Sequence, residues 1–322
     1  MSLIESLLAL GGGLVLLVAG AEALVRGASF LALRFGISPT VVGLTVVAFG
    51  TSSPELLVSV QAALASEGGL ALGNVVGSNV ANLGLIVGVS AALSPLVVDR
   101  GLLRRDVPAM IGAMALLCVF LIDATVSRLE GAVLVAGIVA YTVSGVRASR
   151  RETRALHATA DELPVAVQAA RAATGTALAV RALLAIVGLA MLVGGSDLLV
   201  AGAVSIAERL GVSEAVIALT LVAIGTSLPE LATTVVAAFR GHGEIALGGA
   251  IGSNIFNVLG VLGPAALAAP IVAPEVGGGV LGIMISMGIL TAFFLASGGR
   301  TRRWEGFFLL TVYALYLWWV VA

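Results

Sequence analysis

The stretch Gly50-Thr51-Ser52-Ser53-Pro54-Glu55 interrupts a long apolar run and carries a carboxylate into it. Residues 41–49 before it and residues 56–64 after it are mostly apolar. A glutamate inside hydrocarbon is costly, so such a residue marks a functional site. Pro54 has no N–H for the carbonyl of Gly50, and its ring opens the helix at that turn. The freed carbonyls, the hydroxyls and the carboxylate are oxygen ligands, which Na⁺ and Ca²⁺ prefer.

The same element recurs as Gly225-Thr226-Ser227-Leu228-Pro229-Glu230, 175 positions downstream. At this offset residues 43–60 and 218–235 share 11 identities in 18 positions, and residues 71–82 and 246–257 share 7 in 12. Apolar composition alone does not keep Gly, Thr, Ser, Pro, Glu and Asn in register. The chain is therefore an internal duplication.

The composition is that of an integral membrane protein. The chain has 322 residues, of which 59% are hydrophobic and 11% charged, with a mean hydropathy of +1.13, whereas soluble domains carry roughly 25% charged residues. The net charge of −1 says nothing about nucleic acid, but the sequence has no basic patch with interleaved aromatic residues, so we expect no nucleic-acid partner. The N-terminus carries Glu5 instead of a basic segment, so we interpret it as a membrane span and not as a signal peptide. With about 20 apolar residues per span, the sequence predicts ten: 4–33, 38–65, 70–94, 105–122, 127–147, 178–208, 213–239, 245–268, 276–297 and 304–322.

The predicted fold is all-α, a single membrane domain over 1–322. Its parts are a first repeat 1–148, a cytoplasmic connection 149–177 too short for an inserted domain, and a second repeat 178–322. With both termini outside, 14 arginines face the cytoplasm and 2 face outward, as the positive-inside rule requires. Five spans per repeat is an odd number, so the two repeats are inverted, as in many secondary transporters. A prokaryotic plasma membrane is the simplest location.

Inverted repeats bring Glu55 and Glu230 together near the middle of the membrane. Two carboxylates balance one Ca²⁺, which takes about six to eight oxygen ligands. A second polar face carries Ser78, Asn79 and Asn82 and their counterparts in the second repeat. The predicted metal ligands at the two breaks come in pairs: Glu55 and Glu230, Thr51 and Thr226, Ser52 and Ser227, and the backbone carbonyls near Ala48 and Ala223.

Some of these features have simpler interpretations. Gly73 with Gly77, and their counterparts Gly248 and Gly252, are also typical of close packing between spans. Serine and threonine hydroxyls in spans often bond back to a carbonyl of the same helix.

Two further acidic residues stand at equivalent positions of the duplication. Glu22 has Arg26 four residues on, so it forms either a structural ion pair or part of an ion path. Asp197 has no such neighbour, which favours the lining of an aqueous path.

The paired motifs Gly50 to Glu55 with Gly77-Ser78-Asn79, and Gly225 to Glu230 with Gly252-Ser253-Asn254, resemble the two α-repeats of the calcium/cation antiporter superfamily. The resemblance is greatest to prokaryotic sodium/calcium exchangers. It implies ten helices, with the second, third, seventh and eighth around the site, and alternating access by sliding of the first and sixth.

The resemblance also implies that the two glutamates are shared by Ca²⁺ and Na⁺, and that Ser78 and Ser253 contribute further oxygens. Asn82 and Asn257 complete the predicted metal ligands. Related exchangers often carry an aspartate at one of the positions that match Asn82 and Asn257. Because both are asparagine here, the counter-ion, Na⁺ or H⁺, stays open.

The leading hypothesis is a secondary antiporter that moves Ca²⁺ against Na⁺ at one shared site, and its alternative is a Ca²⁺/H⁺ antiporter. A channel is a second class, although a closed cage of two negative charges argues against a pore. An intramembrane enzyme is a third class, and the absence of an HExxH motif and of any histidine in a span argues against it. We therefore expect no enzyme activity, no cofactor and no obligatory protein partner beyond the ions and the bilayer.

Overall fold

The computed structural model describes residues 1–159, 172–210, 223–274 and 276–321. These residues are nearly all helical, and a short antiparallel strand pair, β1 (Thr125–Val126) with β2 (Ile271–Val272), joins two of the connections. The helices are α1 Leu3–Phe35, α2 Thr40–Thr51, α3 Ser53–Leu64, α4 Gly68–Leu93, α5 Leu102–Asp123, α6 Arg128–Thr159, α7 Gly175–Arg209, α8 Ala223–Thr226, α9 Leu228–Phe239, α10 Gly243–Ala268, α11 Gly278–Ala296 and α12 Arg303–Val321.

Seven of the described helices are long and apolar enough to cross a membrane, namely α1, α4, α5, α6, α7, α10 and α11. The pair α2 and α3, bent by 48° at its break, makes an eighth. A helical membrane protein is thus confirmed. The count of ten spans stays a prediction, because residues 211–222 of the predicted seventh span lie outside the described residues and α12 is not among the seven.

The ends of most predicted spans agree with the helices to within a few residues. The fifth predicted span, 127–147, is the exception, because α6 continues to Thr159. Arginine and alanine, frequent in this extension, are good helix formers, so the helix outlasts its apolar segment. The predicted connection 149–177 therefore begins as helix, and its residues 160–171 lie outside the described part of the chain.

Helices α1 and α7 pack against each other at backbone distance through glycine. A Cβ added to Gly20 would lie 2.7 Å from the carbonyl oxygen of Gly188, and one added to Gly13 would lie 2.7 Å from that of Gly195. Only a residue without a side chain allows such an approach. Because Gly188 and Gly195 are the counterparts of Gly13 and Gly20, exchanging the two repeats converts one contact into the other.

The strand pairings are also converted into each other when the two repeats are exchanged. Thr125 of β1 pairs with Val272 of β2, and an isolated bridge joins Val97 to Arg300. Arg300 is the counterpart of Thr125, and Val272 is the counterpart of Val97. The two contacts are therefore equivalent under the duplication and lie at different loops.

Contacts between connections sort the helix ends into two faces. On one face the Ser38 N–H donates to Ser149 Oγ at 2.7 Å, and Leu96 N–H donates to Thr301 Oγ1 at 2.8 Å. We call this the arginine face, because most arginines of the described connections and of the helix ends beside them lie there. On the other face, which we call the opposite face, Arg209 donates to the carbonyl of Met1, and β1 pairs with β2.

Helices α4 and α10 form the centre of the molecule. The most apolar segment of α10 is buried over its full length and that of α4 over 78%, compared with 17% for α7. The site is built where these two helices meet the breaks between α2 and α3 and between α8 and α9.

Candidate ion site

One serine separates the two helical segments at the centre of each repeat. Ser52, between α2 and α3, has φ −84° and ψ 10°, and Ser227, between α8 and α9, has φ −89° and ψ 1°. Pro54 and Pro229 follow in the first turn of the next helix, where no N–H is needed. The break predicted from Pro54 is confirmed by the 48° bend between α2 and α3.

The two glutamates lie in the first turn after these breaks and are buried, with only 1% of Glu55 and 3% of Glu230 exposed. They are close enough for their charges to interact. Ser52 Oγ donates to Glu230 Oε1 at 2.9 Å, so a side chain of the first repeat contacts the carboxylate of the second. Among the described residues no salt bridge reaches either carboxylate.

Several buried oxygens at the predicted ligand positions have no hydrogen-bond partner in the described protein. A buried polar atom without a partner is costly, and a cluster of such oxygens fits a bound cation. These atoms are Glu55 Oε2, Glu230 Oε2, Ser227 Oγ, Ser253 Oγ, Asn82 Oδ1 and Asn257 Oδ1.

The remaining predicted ligands occupy more ordinary positions. Thr51 is buried and its Oγ1 donates to the carbonyl of Val47 at 3.0 Å, a bond within the helix that leaves lone pairs for a cation. The carbonyl of Ala48 accepts the Ser52 N–H at 3.0 Å and has a longer contact with Thr51 Oγ1 at 3.5 Å. Ser78 is buried near the centre of α4.

On the second repeat, Thr226 is half-buried and lines a cavity beside the site. Helix α8 begins at Ala223, whose surroundings lie outside the described residues.

The asparagines begin two π-helical segments, Asn82–Ile86 in α4 and Asn257–Leu262 in α10. Such segments are frequent at functional sites, and no residue pattern in the sequence predicted them. Their amides also connect the repeats, because Asn257 Nδ2 donates to Asn79 Oδ1 at 3.2 Å. Asn79 was predicted only as part of a polar face, although its recurrence as Asn254 was a signal for a larger role.

Asn74 is a site residue that the sequence did not reveal. Its Nδ2 donates to the carbonyl oxygen of Glu55 at 3.1 Å and to Ser59 Oγ at 2.9 Å, which ties α3 to α4 directly behind the carboxylate. Its counterpart in the second repeat is Gly249, so the duplication offered no signal for it.

The paired glycines of α4 and α10 differ between the repeats. A Cβ added to Gly248 would lie 2.6 Å from the carbonyl oxygen of Thr40, and one added to Gly252 would lie 2.6 Å from Leu44 Cα. Gly73 and Gly77 have no atom within 4 Å of an added Cβ in the described structure. The close-packing interpretation therefore holds for α10 but not for α4.

A cavity of about 550 Å³ lies between α3, α7 and α8 and reaches both breaks. It is lined by apolar side chains together with Ser53, Ser196, Asp197 and Thr226. At the position equivalent to Asp197, Glu22 forms an ion pair with Arg26, and Arg240 Nε donates to Glu22 Oε2 at 2.8 Å. Of the two alternatives left open for Glu22, the structure shows the ion pair with Arg26 and adds a second arginine to it.

The family model described as "Sodium/calcium exchanger protein" matches residues 5–144 and 180–322. Among curated proteins, the "Putative antiporter CaxA" of Alkalimonas amylolytica is 38% identical over 94% of this chain and 95% of that protein. The "Sodium/calcium exchanger MaX1" of Methanosarcina acetivorans is 35% identical over 95% of both chains.

Among solved structures, the sodium-calcium exchanger NCX_Mj soaked with 10 mM Na⁺ and zero Ca²⁺ superimposes with a TM-score of 0.82 at 31% identity, covering 98% of both chains. The match extends over both repeats and the site between them. The chain therefore belongs to the sodium/calcium exchanger family.

Proposed function

We propose that the protein is a secondary antiporter that exchanges Ca²⁺ for Na⁺ by alternating access at a shared site built around Glu55 and Glu230. The observation that carries this proposal is a pair of buried carboxylates, one from each repeat, which the contact of Ser52 with Glu230 brings to one place and whose predicted co-ligands include unpartnered buried oxygens. Charges buried in low dielectric without a basic partner need a cation or a proton to neutralise them. The names of the relatives, an antiporter and a sodium/calcium exchanger, support the same conclusion.

Coupling in this proposal comes from competition for the same oxygens. The two glutamates give the site a charge of −2, which one Ca²⁺ or two Na⁺ cancel. An empty site retains its charge, and a charge in hydrocarbon is costly to move. The site therefore switches sides when loaded with either ion and not when empty, which makes the exchange obligatory.

The proposed architecture is ten spans in two inverted repeats. Its support is the set of contacts that exchange under the 175-residue offset, such as Thr125 with Val272 and Val97 with Arg300. The proposed ligands are Glu55 and Glu230 with the hydroxyls and carbonyls of both breaks and the serines and asparagines of α4 and α10. The arginine face would be the cytoplasmic one, in a prokaryotic plasma membrane with both termini outside.

A Ca²⁺/H⁺ antiporter is the second candidate, and the observation that keeps it open is the charge of the site. Positions 82 and 257 both carry asparagine, so no third carboxylate adds to the site. Two glutamates can be neutralised by two protons as well as by Na⁺, and the charge count alone permits either counter-ion.

The deciding experiment is ⁴⁵Ca²⁺ uptake into proteoliposomes that contain the purified protein. An outward Na⁺ gradient at equal pH on both sides should drive uptake, and a pH gradient without Na⁺ should not. The reverse result would assign the counter-ion to H⁺. Uptake that needs no counter-ion gradient and does not saturate would indicate a channel and overturn the antiporter proposal. The variants Glu55→Gln and Glu230→Gln, which keep the shape and remove one charge each, should abolish Ca²⁺ uptake and leave the protein inserted in the membrane.

A further inference from the structure

Among the described side chains that line the cavity beside the site, Asp197 is the only charged one. It lies on α7 and is exposed. Among the described residues no salt bridge involves it. The walls around it are largely apolar, with Val193, Val200 and Ala201 on the same helix. An uncompensated negative charge in a cleft with low-dielectric walls raises the local concentration of cations.

The cavity leads from Asp197 to the residues of both breaks. Pro54 and Ser53 line it from the first repeat, and Gly225 and Thr226 line it from the second. Ser196, next to Asp197, donates from its Oγ to the carbonyl oxygen of Gly225 at 2.5 Å. This bond holds α7 against the second break and keeps the neighbouring carboxylate beside the route to the site.

The duplication supplies an internal comparison. The counterpart of Asp197 is Glu22, which is half-buried and paired with Arg26 and Arg240. Positions 201 and 65, the counterparts of those two arginines, are both alanine. The same acidic position is therefore neutralised in the first repeat and left charged in the second.

Asp197 lies between the two breaks and the opposite face. Helix α7 begins at the arginine face, and Asp197 is in its second half. The residues of α3 that line the cavity also lie between the first break and the opposite face. Glu22 is in the second half of α1, next to the arginine face, where Arg240 ends α9.

From these observations we infer that Asp197 is a capture residue for cations, which concentrates Ca²⁺ and Na⁺ in the cavity on the opposite face before they reach Glu55 and Glu230. The inference rests on the proposed exchange function. It assigns to Asp197 an effect on ion entry from one face only, and no effect on the bound ion.

The test compares Asp197→Asn with the unchanged protein in membrane vesicles of both orientations. The measured quantity is the external Ca²⁺ concentration that gives half-maximal Na⁺-driven uptake. Where the opposite face is external, the variant should raise this concentration about fivefold, as expected for the loss of one unit charge across an aqueous gap. Where the arginine face is external, the concentration should not change.

Ionic strength separates an electrostatic role from a structural one. The difference between Asp197→Asn and the unchanged protein should shrink when choline chloride is added, because salt screens an exposed charge. Asp197→Glu should restore the original value, and Glu22→Gln, at the equivalent position, should leave the half-maximal concentration at the opposite face unchanged.

An equal shift at both faces, a shift insensitive to salt, or no shift at all would overturn the inference. Absence of Na⁺-driven uptake in the unchanged protein would instead contradict the proposed function, so the two failures are distinguishable.

Discussion

Glu55 and Glu230 hold equivalent positions in the duplication, yet their surroundings differ. Glu230 accepts a hydrogen bond from Ser52 at 2.9 Å. The mirror contact, from Ser227 to Glu55, is absent, since Ser227 Oγ and Glu55 Oε2 have no partner among the described atoms. Asn74 instead holds the backbone of Glu55. At the residue scale the site is therefore asymmetric, with one carboxylate tied across the repeats and the other more open to a ligand.

This asymmetry predicts different costs for two equivalent substitutions. Ser52→Ala removes a buried hydrogen bond to a carboxylate and should lower the free energy of unfolding by about 2 kcal/mol in ion-free buffer. Ser227→Ala removes a hydroxyl that has no partner and should have a smaller effect. Thermal unfolding of both variants in detergent, without Ca²⁺ or Na⁺, measures the difference. Equal losses of stability would show that the two serines have the same surroundings.

At the scale of elements, an ion pair connects the two repeats near the arginine face. Arg240, which follows α9, donates to Glu22 of α1 at 2.8 Å, and Arg26 also pairs with Glu22. The equivalent ion pair of Asp197, near the opposite face, cannot form, because positions 65 and 201 are alanine instead of arginine. The ion pair thus holds α1 to α9 at one end of the molecule, while a cavity separates α7 from α3 at the other.

Arg240→Ala should loosen the contact between α1 and α9. Both arginines are more than half exposed, so the pair contributes only about 0.2–1 kcal/mol. Hydrogen–deuterium exchange of the α9 amides should become about two- to fivefold faster. Arg104→Ala, at an exposed arginine of the same face, is the matched control and should leave α9 unchanged. Identical exchange in both variants would mean that the ion pair does not hold the helices together.

The glycine contacts between α1 and α7 predict a position-specific effect of alanine. A Cβ at Gly188 would lie 2.6 Å from the backbone nitrogen of Leu24, so Gly188→Ala should force the helices apart and cost about 1–3 kcal/mol. Gly194, on the same helix, has no described atom within 4 Å of an added Cβ. Gly194→Ala should therefore be neutral or stabilising by about 0.5–1 kcal/mol. Unfolding temperatures that fall equally in both variants would contradict this packing.

The sequence predicted the helical membrane class and the centre of the site, because a carboxylate and a proline together in an apolar run indicate a broken helix with a polar site. The duplication then supplied the pairing of Glu55 with Glu230. It could not supply features that break the duplication, such as Asn74 opposite Gly249 or Arg240 opposite Ala65. Nor could it predict the π-helical segments, because one extra residue in a helical turn leaves no mark in an apolar pattern.

At the scale of the whole molecule, contacts exchange under the offset even where the chemistry has diverged. Ser6 Oγ donates to Ser205 Oγ at 3.0 Å at one end of α1. The equivalent contact at the other end places the Arg181 guanidinium over the ring of Phe30, 5.4 Å from its centroid. A hydrogen bond and a cation–π contact thus occupy equivalent positions at the two ends of the α1–α7 pair. The symmetry therefore resides in the backbone arrangement.

Inverted repeats make a prediction about sidedness that does not depend on transport. Glu67 and His242 are counterparts, both exposed, and each directly precedes a helix, α4 and α10. If the repeats are inverted, these two residues lie on opposite sides of the membrane. We expect a membrane-impermeant maleimide, added to intact cells, to label Glu67→Cys and not His242→Cys, both in a Cys118→Ser background that removes the native thiol. In inverted vesicles the pattern should reverse, because the arginine face, to which His242 belongs, then faces the reagent. Labelling of both cysteines from the same side would contradict the inverted arrangement. Labelling of His242→Cys alone in intact cells would still agree with inverted repeats, but it would reverse the orientation inferred from the arginines.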